Sequence, residues 1–461
     1  MVPLFLVTVV LAVGGCGAVP GVPLPNESTE PVDESRFTLL ARLVHITDAQ
    51  IIDEESPARL TAVKDLAAAA WRPYEAYSTQ LLDGMIRTVN KMHAAGQRID
   101  FLIQTADAVD NAQRNELDWF ITVMDGGRID PRTGPDDRLP NQKPDPLMDP
   151  HAAFDAQGLY RNGVHGDLPT IPWYSLVGNH DHFALGVFPI VTDLLGNRFS
   201  PLMFENRIGL FLPVNLNPVG VLAYAVVTPA NPEPSVGISL PTIVEANPDR
   251  AYFTNREFVA AHQESPSDPP GHGFGSDPTD ETWYSVSPTP GLRLIGLNSA
   301  SPILERPTLV YSEGAVSTAQ RRFLVRELKK AQDSDEIVIV ASHHPSESLD
   351  PLLGTALVAD SLIRLLNAYP CVRLHIAGHW HTHAVIDRGG YLEIVTGAII
   401  DPPQEGRVIE IWRDGDETEL RYWTFSHLEQ IDPPPGSDPD LFDDPLMPMR
   451  RMAAEIANRP R

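Results

Sequence analysis

The sequence predicts an α/β fold built as one large domain, and three observations carry this reading. Runs rich in Val, Ile and Leu alternate with stretches of helical period. Five of those runs end abruptly in clusters of Asp, Asn, Gln and His. The clusters follow one another from Asp48 to His381, so most of the 461 residues serve one domain with insertions rather than two or three average ones.

Residues 2 to 20 carry no charge, and the apolar run they contain stops at Val13-Gly14-Gly15-Cys16. Spanning a bilayer core of about 30 Å takes about 20 apolar residues, so the run reads as a signal over residues 1–16. Small residues ending in Cys also resemble a bacterial lipobox, which would make Cys16 the acylated first residue of an exported cell-envelope protein, with simple secretion as the alternative, although no Lys or Arg precedes the run. Residues 17–36 then read as a tether. Contact with a membrane is expected only through that lipid. With Cys16 consumed, Cys371 is left as a small buried hydrophobe.

In the domain proper, residues 37–426, Leu40 to Ile46 is the first strand. Gln80 to Ala95 sets Leu82, Met85, Ile86, Val89 and Met92 on one helical face and stops at Gly96. Ile99 to Gln104 is the next strand, followed by a helix over Asn111 to Asp125 that Gly126-Gly127 closes. Periodicity is lost over 128–169, which reads as a lid, and the Pro- and Asn-rich stretch 184–281 reads as a cap inserted beside the site. Thr282 to Val286 and Leu292 to Leu297 flank a Pro-Gly turn and form a hairpin pattern. Ser317-Thr318-Ala319-Gln320 is a capping box that opens a helix carrying Phe323, Leu324 and Leu328. Strand patterns follow at Ile337 to Ala341, Val372 to Ile376, Tyr391 to Thr396, Arg407 to Ile411 and Glu419 to Thr424, enough to finish a second sheet. Residues 427–461, rich in Pro and Asp, read as a tail with one short helix around Met449 to Asn458.

The formal net charge is -26, from 61 acidic and 35 basic residues, which argues against duplex nucleic acid held on a broad basic surface. A small phosphate ester held on metal ions remains compatible. Neither a G-x-x-x-x-G-K-S/T loop nor a G-x-G-x-x-G fingerprint occurs, which argues against nucleotide-dependent phosphoryl transfer on a P-loop.

The chemistry lies in the clusters. Behind the run at Ser175 come Gly178-Asn179-His180-Asp181, an amide, an imidazole and a carboxylate in succession, which suits the rim of a metal site better than packing. The others are Asp48-Ala49-Gln50, Asp107-Ala108-Val109-Asp110, His343-His344-Pro345 and Gly378-His379-Trp380-His381. A lone His or Asp at a strand end is ordinarily a cap or a loop anchor. Five clusters at the carboxyl ends of strands are what an α/β active site requires.

In this order the clusters resemble the calcineurin-like metallophosphoesterase superfamily, whose signature reads D-x-H/Q, G-D-x-x-D/N, G-N-H-D/E, H-x-P and G-H-x-H. The resemblance implies a four-layer αββα sandwich of two mixed sheets flanked by helices. It implies two divalent metal ions, with Asp107 as the bridging ligand, Asp48, Gln50 and His381 on the first ion, and Asn179, His343 and His379 on the second. It implies hydrolysis of small phosphate esters, monoester or diester, by water activated between the ions. His180 matches the family's histidine beside the metals, a general acid for the leaving oxygen, and Asp181 would orient His180 or anchor its loop. His45, His344, His383 and Asp110 are open to supporting or ordinary loop roles, and Trp380 to packing.

Two positions depart from the commonest pattern. Gln50 replaces an imidazole by an amide oxygen, which favours Mn or Fe, with Mg and Zn as the alternatives. Ala106 stands where a glycine is usual, at a cost of about 1 kcal/mol if the backbone there needs positive φ. A second reading is a non-catalytic envelope lipoprotein with a structural or ligand-binding metal site, and hydrolysis of a generic phosphate ester separates the two.

Overall fold

A computed structural model describes residues 21–56, 72–133, 149–161, 169–192, 198–199, 247–276, 281–300, 312–351 and 355–458. Cys16 and the signal-like run lie outside the described residues, as do parts of both predicted insertions.

In chain order the strands of the two large sheets are β1 (Val22–Leu24), β2 (Thr38–Ile46), β3 (Phe101–Gln104), β4 (Trp173–Ser175), β5 (Tyr284–Thr289), β6 (Leu292–Gly296), β7 (Ile337–Ala341), β8 (Val372–Ala377), β9 (Ala384–Asp387), β10 (Leu392–Val395), β11 (Glu405–Asp414) and β12 (Glu417–Ser426). The helices are α1 (Ser78–Ala94), α2 (Arg114–Asp125), α3 (Asn255–Glu264), α4 (Thr318–Asp333), α5 (Ala359–Asn367) and α6 (Met447–Ala457). One mixed sheet has seven strands in the order β1-β9-β10-β8-β7-β6-β5, and the other has five in the order β12-β11-β2-β3-β4.

Side-chain alternation explains how these sheets stack. Along β7, Ile337, Ile339 and Ala341 join the core shared with the five-stranded sheet, while Val338 and Val340 face the other way, into a second core with Leu324 and Leu328 of α4 and Leu362 and Leu366 of α5. Every residue of β7 is buried because both faces of its sheet are covered. The α1 residues Leu82, Met85, Ile86 and Val89 and the α2 residues Leu117 and Phe120 belong to the larger core with Leu43 and Phe101. The result is the four-layer αββα sandwich.

Three stretches differ from the sequence expectation. Inside the proposed tether, Val22–Leu24 pairs antiparallel with β9, and Ser28 bridges to Tyr422. An edge strand offers unpaired N–H and C=O groups that any extended segment satisfies, so composition alone did not betray it. Within the cap, α3 carries a complete capping box between Thr254 and Glu257. Its buried face is only Phe258, Val259 and His262, too narrow and too polar a stripe to register as a period. The tail is not a linker throughout. Leu441, Met449 and Ala453 are buried in the larger core, and Arg450 of α6 pairs with Asp444 at 2.5 Å. In the lid, Gly127–Ile129 pairs with Phe154–Ala156.

Half of the expected capping box of α4 forms: Ser317 Oγ accepts from Gln320 N–H at 3.2 Å, while the Gln320 side chain turns away to the backbone of Asn298, accepting from its N–H at 2.9 Å and donating to its C=O at 2.8 Å. Among the described residues, no helix is long and apolar enough to cross a membrane.

Candidate metal centre

The five clusters meet at one end of the seam between the sheets. β2, β3 and β4 of the five-stranded sheet run parallel and deliver Asp48 and Gln50, Asp107, and Asn179 with His180. β7 and β8 of the other sheet, also parallel, deliver His343, and His379 with His381. The loops are stitched together by their backbones: Asp48 N–H donates to Ala106 C=O at 3.1 Å, Gln50 N–H to Asp107 C=O at 2.9 Å, and Gly378 N–H to His343 C=O at 2.9 Å. Ile399 and Ile400 beyond β10 donate to the carbonyls of Thr47 and Asp48 and tie the two halves together.

The turns that present these side chains are tight enough to need left-handed backbone. Asp48, Gln50, Ala106, Asp107, His379 and His381 all have positive φ, between 39° and 80°. Such strain gathers at functional sites, where surrounding structure holds it in place. Ala106, at φ 80°, pays the cost the sequence foresaw. Burial of its methyl group in the core returns about 0.8 kcal/mol. The Gln104 side chain secures the turn, accepting from Ala106 N–H at 2.9 Å and donating to Ala106 C=O at 2.6 Å. Close approach fixes two glycines: a Cβ at Gly178 would lie 2.0 Å from Asp107 Oδ1, and one at Gly378 would lie 2.6 Å from Asp48 Oδ2.

Asp48, Asp107 and His343 offer ligand atoms that all lie within 4.8 Å of one another. His343 Nε2 is 3.1 Å from Asp107 Oδ2 and 4.0 Å from Asp48 Oδ1, and Asp48 Oδ1 is 3.1 Å from His381 Nε2. The opposite ring nitrogen of His343 donates to Thr105 C=O at 2.9 Å, which leaves Nε2 facing the carboxylates. Asn179 Nδ2 donates to Gly186 C=O at 2.9 Å, which leaves its Oδ1 free. Both His343 Nε2 and Asn179 Oδ1 are buried without a hydrogen-bond partner. Orphaned buried polar atoms beside two carboxylates are what a cation would satisfy, so the residues fit a metal ion. His343, His344 and His379 form a second close group. There His344 is already spent: its Nδ1 meets Ser299 Oγ at 2.8 Å and its Nε2 meets Ser312 C=O at 3.1 Å.

Charge at the site points the same way. Burial disfavours ionised carboxylates, yet His381 and His343 hold Asp48 well below the usual range, and His343 and His180 hold Asp107 down. In return, burial lowers His343, but Asp107 and Asp48 outweigh it and lift the imidazole to about 9. His381 is lifted to about 10 against burial, chiefly by Asp48. His379 goes the other way, pushed down to about 3 by burial and by neighbouring His343. Concentrated negative charge in a buried pocket draws cations, whether protons or metal ions.

Compared with protein-family models and with curated proteins, the sequence matches none. Among solved structures the chain is similar to a dimetal phosphatase from Danio rerio, at 14% identity over 85% of this chain and 100% of that one, with a TM-score of 0.43. It is also similar to PhoD, at 8% identity over 91% of this chain and 77% of that one, with a TM-score of 0.35. Two mixed sheets face to face, with five polar loops meeting at one end of their seam, form the arrangement that the sequence resemblance implies.

Two readings that the sequence left open are decided by the contacts. Asp181 does not orient His180. Its Oδ1 accepts from Val109 N–H at 3.2 Å and its Oδ2 from Gly178 N–H at 2.9 Å, so it anchors two loops to each other. Burial and nearby Asp107 push its carboxyl up to about 7. The partner of His180 is Asp110, whose carbonyl accepts from Nδ1 at 2.9 Å. His45 is a strut between the sheets, bonded to Thr105 and Thr396 at 2.7 Å each.

Sequence reasoning missed Asp401, Arg72 and Tyr74. Asp401 accepts from His381 Nδ1 at 2.6 Å, from Arg72 and from the Tyr74 hydroxyl. It follows the short apolar step Ala398-Ile399-Ile400, a weaker form of the sign that marked the other clusters. Arg72, in the step Trp71-Arg72-Pro73, carried no such sign.

Proposed function

We propose that this protein hydrolyses small phosphate esters on two divalent metal ions held by Asp48, Gln50, Asp107, Asn179, His343, His379 and His381. The observation that carries the reading is the pair of buried orphan atoms, His343 Nε2 and Asn179 Oδ1, beside the carboxylates of Asp107 and Asp48. Divalent ions bound there supply Lewis acidity, neutralising phosphoryl oxygens and making water acidic enough to attack near neutral pH.

The chain's own groups do the rest. Asp107, whose backbone is fixed by the left-handed turn and whose Oδ1 accepts from His180 N–H at 2.9 Å, keeps its second oxygen turned to His343. His180 has its Nδ1 committed to Asp110, so its Nε2 is the nitrogen available to deliver a proton to the departing oxygen. Asp107 and Asp110 raise its basicity against the effect of burial. Mn or Fe suits the oxygen-rich first set with Gln50. Export and anchoring through Cys16 belong to the same proposal, supported by the apolar run that precedes it.

The test is a metal-reconstituted screen over phosphomonoesters, cyclic nucleotides, nucleotides and phosphodiesters, starting from p-nitrophenyl phosphate and its bis-ester. Hydrolysis that disappears on chelation and returns with Mn or Fe is expected. Full activity in a thoroughly demetallated sample overturns the assignment. Two bound ions without hydrolysis of any ester in the panel point to a non-catalytic metal protein.

A further inference from the structure

The two neutral ligands proposed for the first ion share one support. Arg72 is almost completely buried, at 1% exposure, and its guanidinium sits directly behind Gln50 and Asp401. Nη2 donates to Gln50 Oε1 at 2.8 Å and to Asp401 Oδ2 at 2.8 Å, and Nε donates to Asp401 Oδ1 at 2.7 Å. The same Oδ2 accepts from His381 Nδ1 at 2.6 Å, and the Tyr74 hydroxyl donates to Oδ1 at 2.7 Å. Thus one ion pair grips Gln50 through its cation and His381 through its anion.

The proposed ligands of the second ion are steadied elsewhere, His343 by Thr105 and Asn179 by Gly186. No hydrogen bond among the described residues runs from Arg72 or Asp401 to either of them.

We infer that the Arg72–Asp401 ion pair is a positioning device for one half of the metal centre, holding Gln50 and His381 in a single orientation each. A primary amide has two similar ends and several rotamers, so nothing intrinsic turns its oxygen toward an ion. The guanidinium bond to Oε1 fixes which way the amide faces, with its Nε2 at 3.3 Å from His381 Nε2, and occupies one of the two lone pairs of Oε1. Unaided, that cation would repel a metal ion. Asp401 offsets the charge and also holds the Nδ1 side of His381, so Nε2 is the nitrogen turned toward Asp48 Oδ1, at 3.1 Å. Neither residue touches substrate in this account. Both act through Gln50 and His381.

The inference rests on the metal-centre reading, and the test separates the two. Full-length protein is equilibrated with Mn(II), the bound ion is counted by mass spectrometry, and the EPR spectrum distinguishes a spin-coupled pair from isolated Mn(II). Wild type is expected to hold a coupled pair. Asp401→Asn should weaken one ion about 10- to 100-fold while the other stays, converting the spectrum to that of isolated Mn(II). Circular dichroism checks that the variant is folded. If it is not, Arg72→Lys asks the same question, since an ammonium group can serve Asp401 or Gln50 but not both. Adding Gln50→His to Arg72→Lys should restore the pair, because an imidazole needs no guanidinium to select its donor atom, and a merely structural role would not respond in this way. Retention of both ions in folded Asp401→Asn or Arg72→Lys, or equal loss of both, overturns the inference. A wild-type protein that binds no ion pair overturns the metal-centre reading itself.

Discussion

The carbonyl and the carboxylate of Asp110 both face Nδ1 of His180, at 2.9 and 3.3 Å. This double contact fixes the ring in one orientation and leaves Nε2 as its working end. It also assigns to Asp110 the part that adjacency in sequence suggested for Asp181.

His180→Ala should therefore keep its metal content and lose turnover, by about 10²- to 10⁴-fold and most for esters with poor leaving groups. Metal analysis beside kcat on a series of aryl phosphates checks both halves of the expectation. Metal loss in this variant would place His180 among the ligands.

Asp181→Ala should chiefly cost stability. The buried N–H groups of Gly178 and Val109 lose their acceptor, at about 1–3 kcal/mol for each group left unsatisfied. Urea unfolding should show a lower midpoint, with kcat of the folded fraction changed far less than in His180→Ala. A variant of unchanged stability and abolished turnover would contradict the anchoring role.

The buried Glu393 gives an acid-stability expectation. It bonds Arg388 Nε at 2.8 Å and Ser346 N–H at 2.7 Å, beside His375 at 3.3 Å. Burial alone would raise its carboxyl, but His375 and Arg388 more than reverse this and hold it down at about 2. A carboxyl depressed in the folded state contributes stability that is fully present above its unfolded value, near 4.5, and is lost as pH falls toward 2. The difference in unfolding free energy between wild type and Glu393→Gln, followed by denaturant titration, should be largest above pH 5 and shrink by a few kcal/mol on the way to pH 2. A difference independent of pH would show that the ion pair is not what holds the group down.

Gly84→Ala runs against helix propensity. In the interior of α1 an alanine should gain about 1 kcal/mol. Here its Cβ would lie 2.2 Å from Nε of Arg450, whose buried guanidinium rests on that glycine. The variant should release α6 to limited proteolysis and lower the thermal midpoint. A raised midpoint with a protected C-terminus would mean that the contact yields easily.

The strands and the site were readable because both rest on local patterns. Ile337 to Ala341 is apolar because both faces of its sheet are covered, and His343 follows it because the loop beyond is where ligands can gather. What escaped depended on partners far away in sequence. Val22–Leu24 is a strand only because β9 has an open edge, and Arg72 matters only because Asp401 lies 329 residues further on. For Asp181 the sequence left orienting His180 and anchoring the loop both open, because one of the N–H groups it accepts from belongs to Val109, 72 residues away.

The seam between the two sheets has one more consequence. Asp48, Gln50, Asp107 and Asn179 come from loops of one sheet, and His343, His379 and His381 from loops of the other. Only the folded chain brings the two sets together, so any ion they share binds the native state alone and adds to its stability, by about 2.7 kcal/mol at a hundred times its dissociation constant. Metal supply would then govern more than turnover. In a starved cell the idle protein would also be the one that opens most readily to proteases, so its abundance would fall with the ion it uses.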